Sequence, residues 1–123
     1  MDITTLTQQT QKLLAACQEA SDRFYKMREE DRAPDFYNEV KHYADEMQTV
    51  LKLWQTTAHQ FIDEMRPKYV HKIQIDNAVD AMEQFFVQSF YKETSKKRFL
   101  QSIQAVQYTL DTLLRKIGGD ANV

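Results

Sequence analysis

The sequence predicts an all-α protein: a single domain over residues 1–123, built as an antiparallel up-and-down four-helix bundle with a left-handed twist. Three observations predict it. Apolar residues recur at alternating spacings of three and four along four segments, which keeps each set on one side of a helix, whereas a strand needs a spacing of two. Short charged or Pro- and Gly-containing breaks separate the segments. Only two Gly and two Pro occur in 123 residues, too few turn formers for a many-stranded sandwich or barrel.

The first stripe is Ile3, Leu6, Thr10, Leu13, Cys17, Ala20, Phe24 and Met27, widened by Leu14 and Tyr25, and predicts a helix over about 3–28. The break Glu29-Glu30-Asp31-Arg32-Ala33-Pro34 follows, with Pro34 suited to a first helical turn and Asp35 able to cap it. The second stripe, Phe36, Val40, Tyr43, Met47, Val50, Trp54, Ala58, Phe61 and Met65, predicts a helix over 35–66 that Pro67 stops. A third helix is predicted over 72–93 from Ile75, Val79, Met82, Phe86 and Phe90, with His71 and Gln74 placed like a weak capping box. The fourth, 95–117, carries Phe99, Ile103, Val106, Leu110, Leu113 and Ile117. Ser95 or Thr94 would open it and Gly118-Gly119 would close it, leaving 120–123 frayed. Short connectors make consecutive helices antiparallel, and the near-heptad spacing gives the left-handed twist. The alternative arrangement places one helix outside and completes the bundle by dimerisation, so the chain is a monomer or a homodimer.

Composition removes several functional classes. Sixteen Lys+Arg face eighteen Asp+Glu for a net charge of -2, which does not describe a strongly basic nucleic-acid or membrane-surface binder. Two glycines leave no glycine-rich phosphate loop. One Cys allows no internal disulfide framework and matches a reducing compartment. No apolar run has the length of a membrane span and no secretory signal is visible, so the expected location is the cytoplasm, without membrane contact.

From Arg66 onward the sequence resembles a known family. The run Arg66-Pro67-Lys68-Tyr69-Val70-His71-Lys72 with Gln74 and Ile75, then Gln88-Ser89, Lys96-Lys97-Arg98-Phe99 and Tyr108-Thr109-Leu110, is similar to the YppE-like proteins of Gram-positive bacteria. Residues 1–65 match in helix pattern, with Asp35-Phe36 a local echo. The resemblance implies an up-and-down four-helix bundle. It implies no activity and assigns no role to any residue.

Two basic clusters stand out. Arg66, Lys68, His71 and Lys72 surround Tyr69 in the second connector, near Arg115 and Lys116. Cations belong in last helical turns, which accounts for Arg66, Arg115 and Lys116 but not for Lys68 and Lys72. Tyr69 and Val70 could plug the bundle end, or the cluster could meet a partner. Lys92, Lys96, Lys97 and Arg98 form a weaker candidate anion site, because three cations in an opening turn oppose the helix dipole. A surface network with Glu29, Glu30, Asp31 and Asp35 explains them more simply.

Other constellations carry less. Glu39-Val40-Lys41-His42 has the Glu-x-x-His spacing of di-iron bundles, but no second pair exists, and His42 is placed toward solvent. Cys17 falls on an apolar stripe and reads as a buried hydrophobe. His59 and Asp63 are spaced as an exposed i,i+4 pair. The expectation is therefore a non-enzymatic protein-interaction or adaptor module without cofactor or metal, acting through the Arg66–Lys72 connector on a protein partner. The alternative is a phosphate, nucleotide or single-stranded nucleic-acid binder at a basic end, with duplex binding disfavoured.

Overall fold

The computed structural model describes residues 2–119. Its elements are α1 (Ile3–Glu30), a π-helical turn (Phe36–Lys41), α2 (His42–Met65), α3 (Lys72–Gln88) and α4 (Lys96–Ile117), with no strand among the described residues. The expectation for 120–123 lies outside those residues. α1 packs on α4, α2 on α3 and α3 on α4, with a lighter α1–α2 contact and an α1–α3 diagonal. Each helix neighbours its successor, and the four-helix bundle read from the stripes is the observed architecture.

Helix ends follow local chemistry. Asp2 accepts from the Thr4 N–H at 3.0 Å and the Thr5 hydroxyl at 2.7 Å, capping the donors that open α1. α1 runs two residues past the predicted end, to Glu30, and stops at Asp31, whose left-handed backbone (φ 51°) turns its N–H to the Arg28 carbonyl. Asp35 caps the π-helical turn through the Asn38 N–H at 3.1 Å, so Pro34 lies before the cap and not inside the first turn. α2 ends at Met65 because Arg66, ahead of Pro67, is left-handed (φ 46°).

α3 ends five residues short of its predicted limit. Beyond Gln88 the chain continues in tight turns, Phe90 N–H to Val87 and Tyr91 N–H to Gln88, and the Thr94 hydroxyl donates to the Gln88 carbonyl at 2.8 Å. Ser95 is the residue that precedes α4, though its side chain makes no capping bond. At the far end of α4 the left-handed residue is Gly119 (φ 93°).

The stripes form the core. Leu6, Leu13, Cys17, Phe24, Leu51, Trp54, Ile75, Met82, Phe85, Phe86, Phe99 and Leu110 are all buried. Phe24 stacks on Phe99 at 4.5 Å between ring centroids, and Phe85 meets Phe99 edge-on at 6.2 Å, joining α1, α3 and α4. Phe36 departs from its predicted stripe and is 50% exposed. It lies in the π-helical turn, whose wider winding rotates it away from the α-helical face that begins at Val40. Met65 and Ile3 are exposed at helix ends, and Tyr25 is exposed with its ring edge-on to Phe24.

Candidate functional site

The second connector turns sharply from α2 into α3, and its backbone explains where each side chain goes. Pro67 and Val70 are buried, so these two residues close the end of the core. Tyr69 does not plug it: its backbone is left-handed (φ 69°) and the side chain is 69% exposed. Such a conformation costs a bulky residue about 1–2 kcal/mol, which the buried residues on either side must offset. His71 is extended ahead of α3, and its N–H donates to Gln74 Oε1 at 2.7 Å, half of the predicted capping box.

Of the cationic candidates, Arg66 and Lys68 are exposed, and Lys72 Nζ lies 2.6 Å from Asp63 Oδ1. That ion pair corrects the expected His59–Asp63 pairing. His59 Nε2 instead meets Asp76 Oδ1 at 2.8 Å, and Gln55 donates to the same oxygen at 2.7 Å. The α2–α3 packing sets these partners, since residues on facing helices come closer than the next turn of the same helix. Gln55 first, then His59, holds the Asp76 carboxyl below its ordinary value. Lys116 places its ammonium 5.3 Å from the centre of the Tyr69 ring.

Two recesses flank the connector and share Val70 and His71. One, of about 330 Å³, lies between Tyr69, His71 and Gln74 on one side and Tyr108, Thr109 and Thr112 of α4 on the other. The second, of about 400 Å³, is bordered by Ile62, Asp63, Arg66 and Pro67. Tyr108 is 71% exposed, so the first recess opens between two solvent-facing tyrosines. Tyr108 belongs to the site although charge and motif reasoning did not place it there. Its signal in the sequence is an aromatic residue on the polar face of α4, between the core positions Val106 and Leu110.

The other basic cluster is at the opposite end. Lys92 Nζ meets Asp31 Oδ1 at 2.5 Å, Arg28 Nε donates to the Lys92 carbonyl at 3.1 Å, and the Lys96 ammonium stands 5.5 Å from the Tyr25 ring centre. The Lys92 hydrogen bond lowers the Asp31 carboxyl, and the same bond raises the Lys92 ammonium. Glu30 and Asp35 serve other partners, Arg32 at 3.6 Å and the Asn38 N–H. Lys97 and Arg98 are exposed in the first turn of α4.

No three His, Cys, Asp or Glu side chains converge among the described residues. Glu39 of the Glu-x-x-His fragment is taken by Arg32 at 2.8 and 3.1 Å, and His42 is exposed. Cys17 is fully buried, and burial pushes its thiol up to about 12. A raised thiol value stabilises the fold below the unfolded thiol's pKa of about 8.5, and this contribution is lost as pH rises above that value toward 12. Native protein at pH 8 should therefore react with an aromatic disulfide reagent at the rate of unfolding, and at full speed in 6 M guanidinium. Rapid labelling of the native chain would place the thiol at the surface.

Taken together, the fold and the connector define a small four-helix-bundle protein with no helix among the described residues long and apolar enough to cross a membrane. Residues 10–117 match the family described as a bacterial domain of unknown function, DUF1798, and the chain belongs to that family. It is 29% identical over 113 residues to the uncharacterised protein YppE of Bacillus subtilis, covering 92% of each chain. The crystal structure of that protein superposes with a TM-score of 0.92 at 28% identity over 98% of both chains. A protein of unknown function from Listeria innocua shares the fold, with a TM-score of 0.90 at 24% identity over 98% of this chain and 97% of that one.

Proposed function

We propose that the chain is a non-enzymatic protein-interaction module of the cytoplasm that meets a protein partner at the Arg66–Lys72 connector. The observation that carries this reading is the recess between the exposed Tyr69 and Tyr108. Tyrosine combines a large apolar face, a hydroxyl and few rotatable bonds, which is why it concentrates at protein interfaces. A tyrosine held outward on a left-handed backbone is ready for contact before a partner arrives, which lowers the ordering cost of binding. Arg66 and Lys68 add positive charge at the rim, which speeds encounter and sets orientation.

The test replaces Tyr69, Lys68 and His71 together with Ala, sparing Lys72 and its ion pair, and compares cross-linked partners by mass spectrometry. A partner captured by the parent chain should fall by about tenfold or more in the variant, with helical content unchanged. Capture at the parent level would move the interaction to another face. Binding of polyphosphate or single-stranded oligonucleotide that fades between low and high salt would replace the protein partner with an anionic ligand.

A further inference from the structure

We infer that the recess between Tyr69 and Tyr108 is a carboxylate pocket, and that the partner meeting the connector enters it with a short acidic stretch of polypeptide. This rests on the interaction reading above and names the chemistry of its partner. The first observation is how charge is divided among the helices. α4 carries five basic residues and one acidic residue, whereas α2 and α3 together carry two basic and seven acidic residues. The net charge of -2 therefore conceals two unlike sides. At the connector, Arg115 and Lys116 of α4 join Arg66 and Lys68. Helix ends do not neutralise this group as a whole. Two amino termini (α1, α3) and two carboxyl termini (α2, α4) meet at this end of the antiparallel bundle, so their opposite half-charges cancel. Arg66 and Lys68 are exposed and make no ion pair among the described residues. Of the nearby acids, Asp2 caps α1, Asp63 holds Lys72, and Glu64 borders neither connector recess.

The wall of the recess has the same sign. No Asp or Glu borders it, and His71 does. Arg115 Nη2 reaches the lining Thr112 hydroxyl at 3.2 Å, and the ammonium of the buried Lys116 stands 5.3 Å from the centre of the Tyr69 ring. These contacts fix both positive charges beside the opening, where they raise the local concentration of anions. The groups that would touch a ligand are donors. Gln74 accepts the His71 N–H on its oxygen at 2.7 Å, which leaves its amide N–H groups for the recess. The Tyr69 and Tyr108 hydroxyls bond no other described residue and can donate as well. A carboxylate only accepts, through two oxygens, so it satisfies an amide and a phenol together. Nucleic acid and polyphosphate have the same sign but repeat their charge along their length, which would carry them onto the acids of α2 and α3. A short acidic stretch ends at α4 and the connector.

The test pans the full chain against a phage-displayed library of random linear 12-residue peptides, then measures one enriched synthetic peptide by fluorescence anisotropy. The expected sequences share two or more clustered Asp or Glu residues, and their affinity falls severalfold between about 50 mM and about 300 mM sodium chloride. Gln74→Glu is the sharpest variant. Glutamate keeps the oxygen that caps the His71 N–H, so circular dichroism should not change, but it replaces the amide donors with a like charge. It should weaken the peptide by about tenfold or more, and Arg115→Gln, at an exposed position, should weaken it severalfold. Failure to enrich any sequence, enrichment of uncharged or basic sequences, or full affinity in Gln74→Glu overturns the carboxylate pocket. Displacement of the peptide by inorganic phosphate beyond that by chloride at equal ionic strength also overturns it, in favour of a free oxyanion. Those outcomes leave the connector reading standing, because that reading fails only when partner capture survives the Tyr69, Lys68 and His71 replacements.

Discussion

Trp54→Ala should lower the unfolding free energy by about 3–5 kcal/mol, a large part of the roughly 6–18 kcal/mol available to 123 residues. The indole is fully buried, and its Nε1–H donates to Thr10 Oγ1 at 3.0 Å, while the Thr10 hydroxyl donates to the Leu6 carbonyl at 2.7 Å. The indole N–H and the Thr10 hydroxyl each have a partner in this Trp54–Thr10–Leu6 relay, so the buried polar pair is held without desolvation loss. It also ties α1 to α2 across the lighter of the sequential helix contacts. Removing the ring opens a cavity that the surrounding helices close only in part. Thr10→Val keeps the volume but leaves the indole N–H buried without an acceptor, at a cost of about 1–3 kcal/mol. Adding Trp54→Phe to Thr10→Val should then cost less than it does in the parent, since the orphaned donor goes with the indole. Urea unfolding of the three variants and the double variant checks this. Additive losses would mean that the hydrogen bond contributes nothing beyond packing.

The bundle was legible because its information is local and periodic. A stripe such as Leu13, Cys17, Ala20, Phe24 needs only its own helix to be recognised, and the described core confirms it. What escaped the sequence was set between elements. The π-helical turn that exposes Phe36 depends on how Asp35 caps and Glu39 is drawn to Arg32, and no apolar spacing encodes that. His59 takes Asp76 and Asp63 takes Lys72 because α2 and α3 face each other there; spacing along one helix pointed to the wrong pair. The connector stands out in the sequence by its charges, yet of that cluster only Tyr69 and His71 line the recess beside α4, with Val70, Gln74, Tyr108, Thr109 and Thr112. Charge is visible in one dimension; a cavity exists only once Tyr69 and Tyr108, 39 positions apart, stand on either side of it.

Arg23→Ala should cost about 2–4 kcal/mol and loosen the end of the bundle opposite the connector. Arg23 lies off the apolar stripe, and nothing near it in sequence marks it. Its guanidinium carbon sits 4.5 Å from the centre of the Tyr43 ring and 4.4 Å from that of Phe90. Nε donates to Ser89 Oγ at 2.8 Å, and the buried Ser89 hydroxyl donates to the Phe86 carbonyl at 2.7 Å. One side chain thus joins α1, α2 and the turn after α3. Two partly desolvated cation–π contacts at about 1 kcal/mol each and one charge-assisted bond at about 1.5–3 exceed the benefit of freeing Nη2, which is buried without a hydrogen-bond partner. Arg23→Met keeps an apolar stem between the rings and should recover about half of the loss; Arg23→Lys should recover less, because an ammonium cannot stack flat on both faces or reproduce the Nε bond. Hydrogen exchange locates the effect: amides of the 89–94 turn and the start of α2 should open faster, while those around Trp54 keep their protection relative to the global unfolding limit. A loss below about 1 kcal/mol, or a methionine variant no better than alanine, would show that the rings alone close this end and that the cation is a passenger between them.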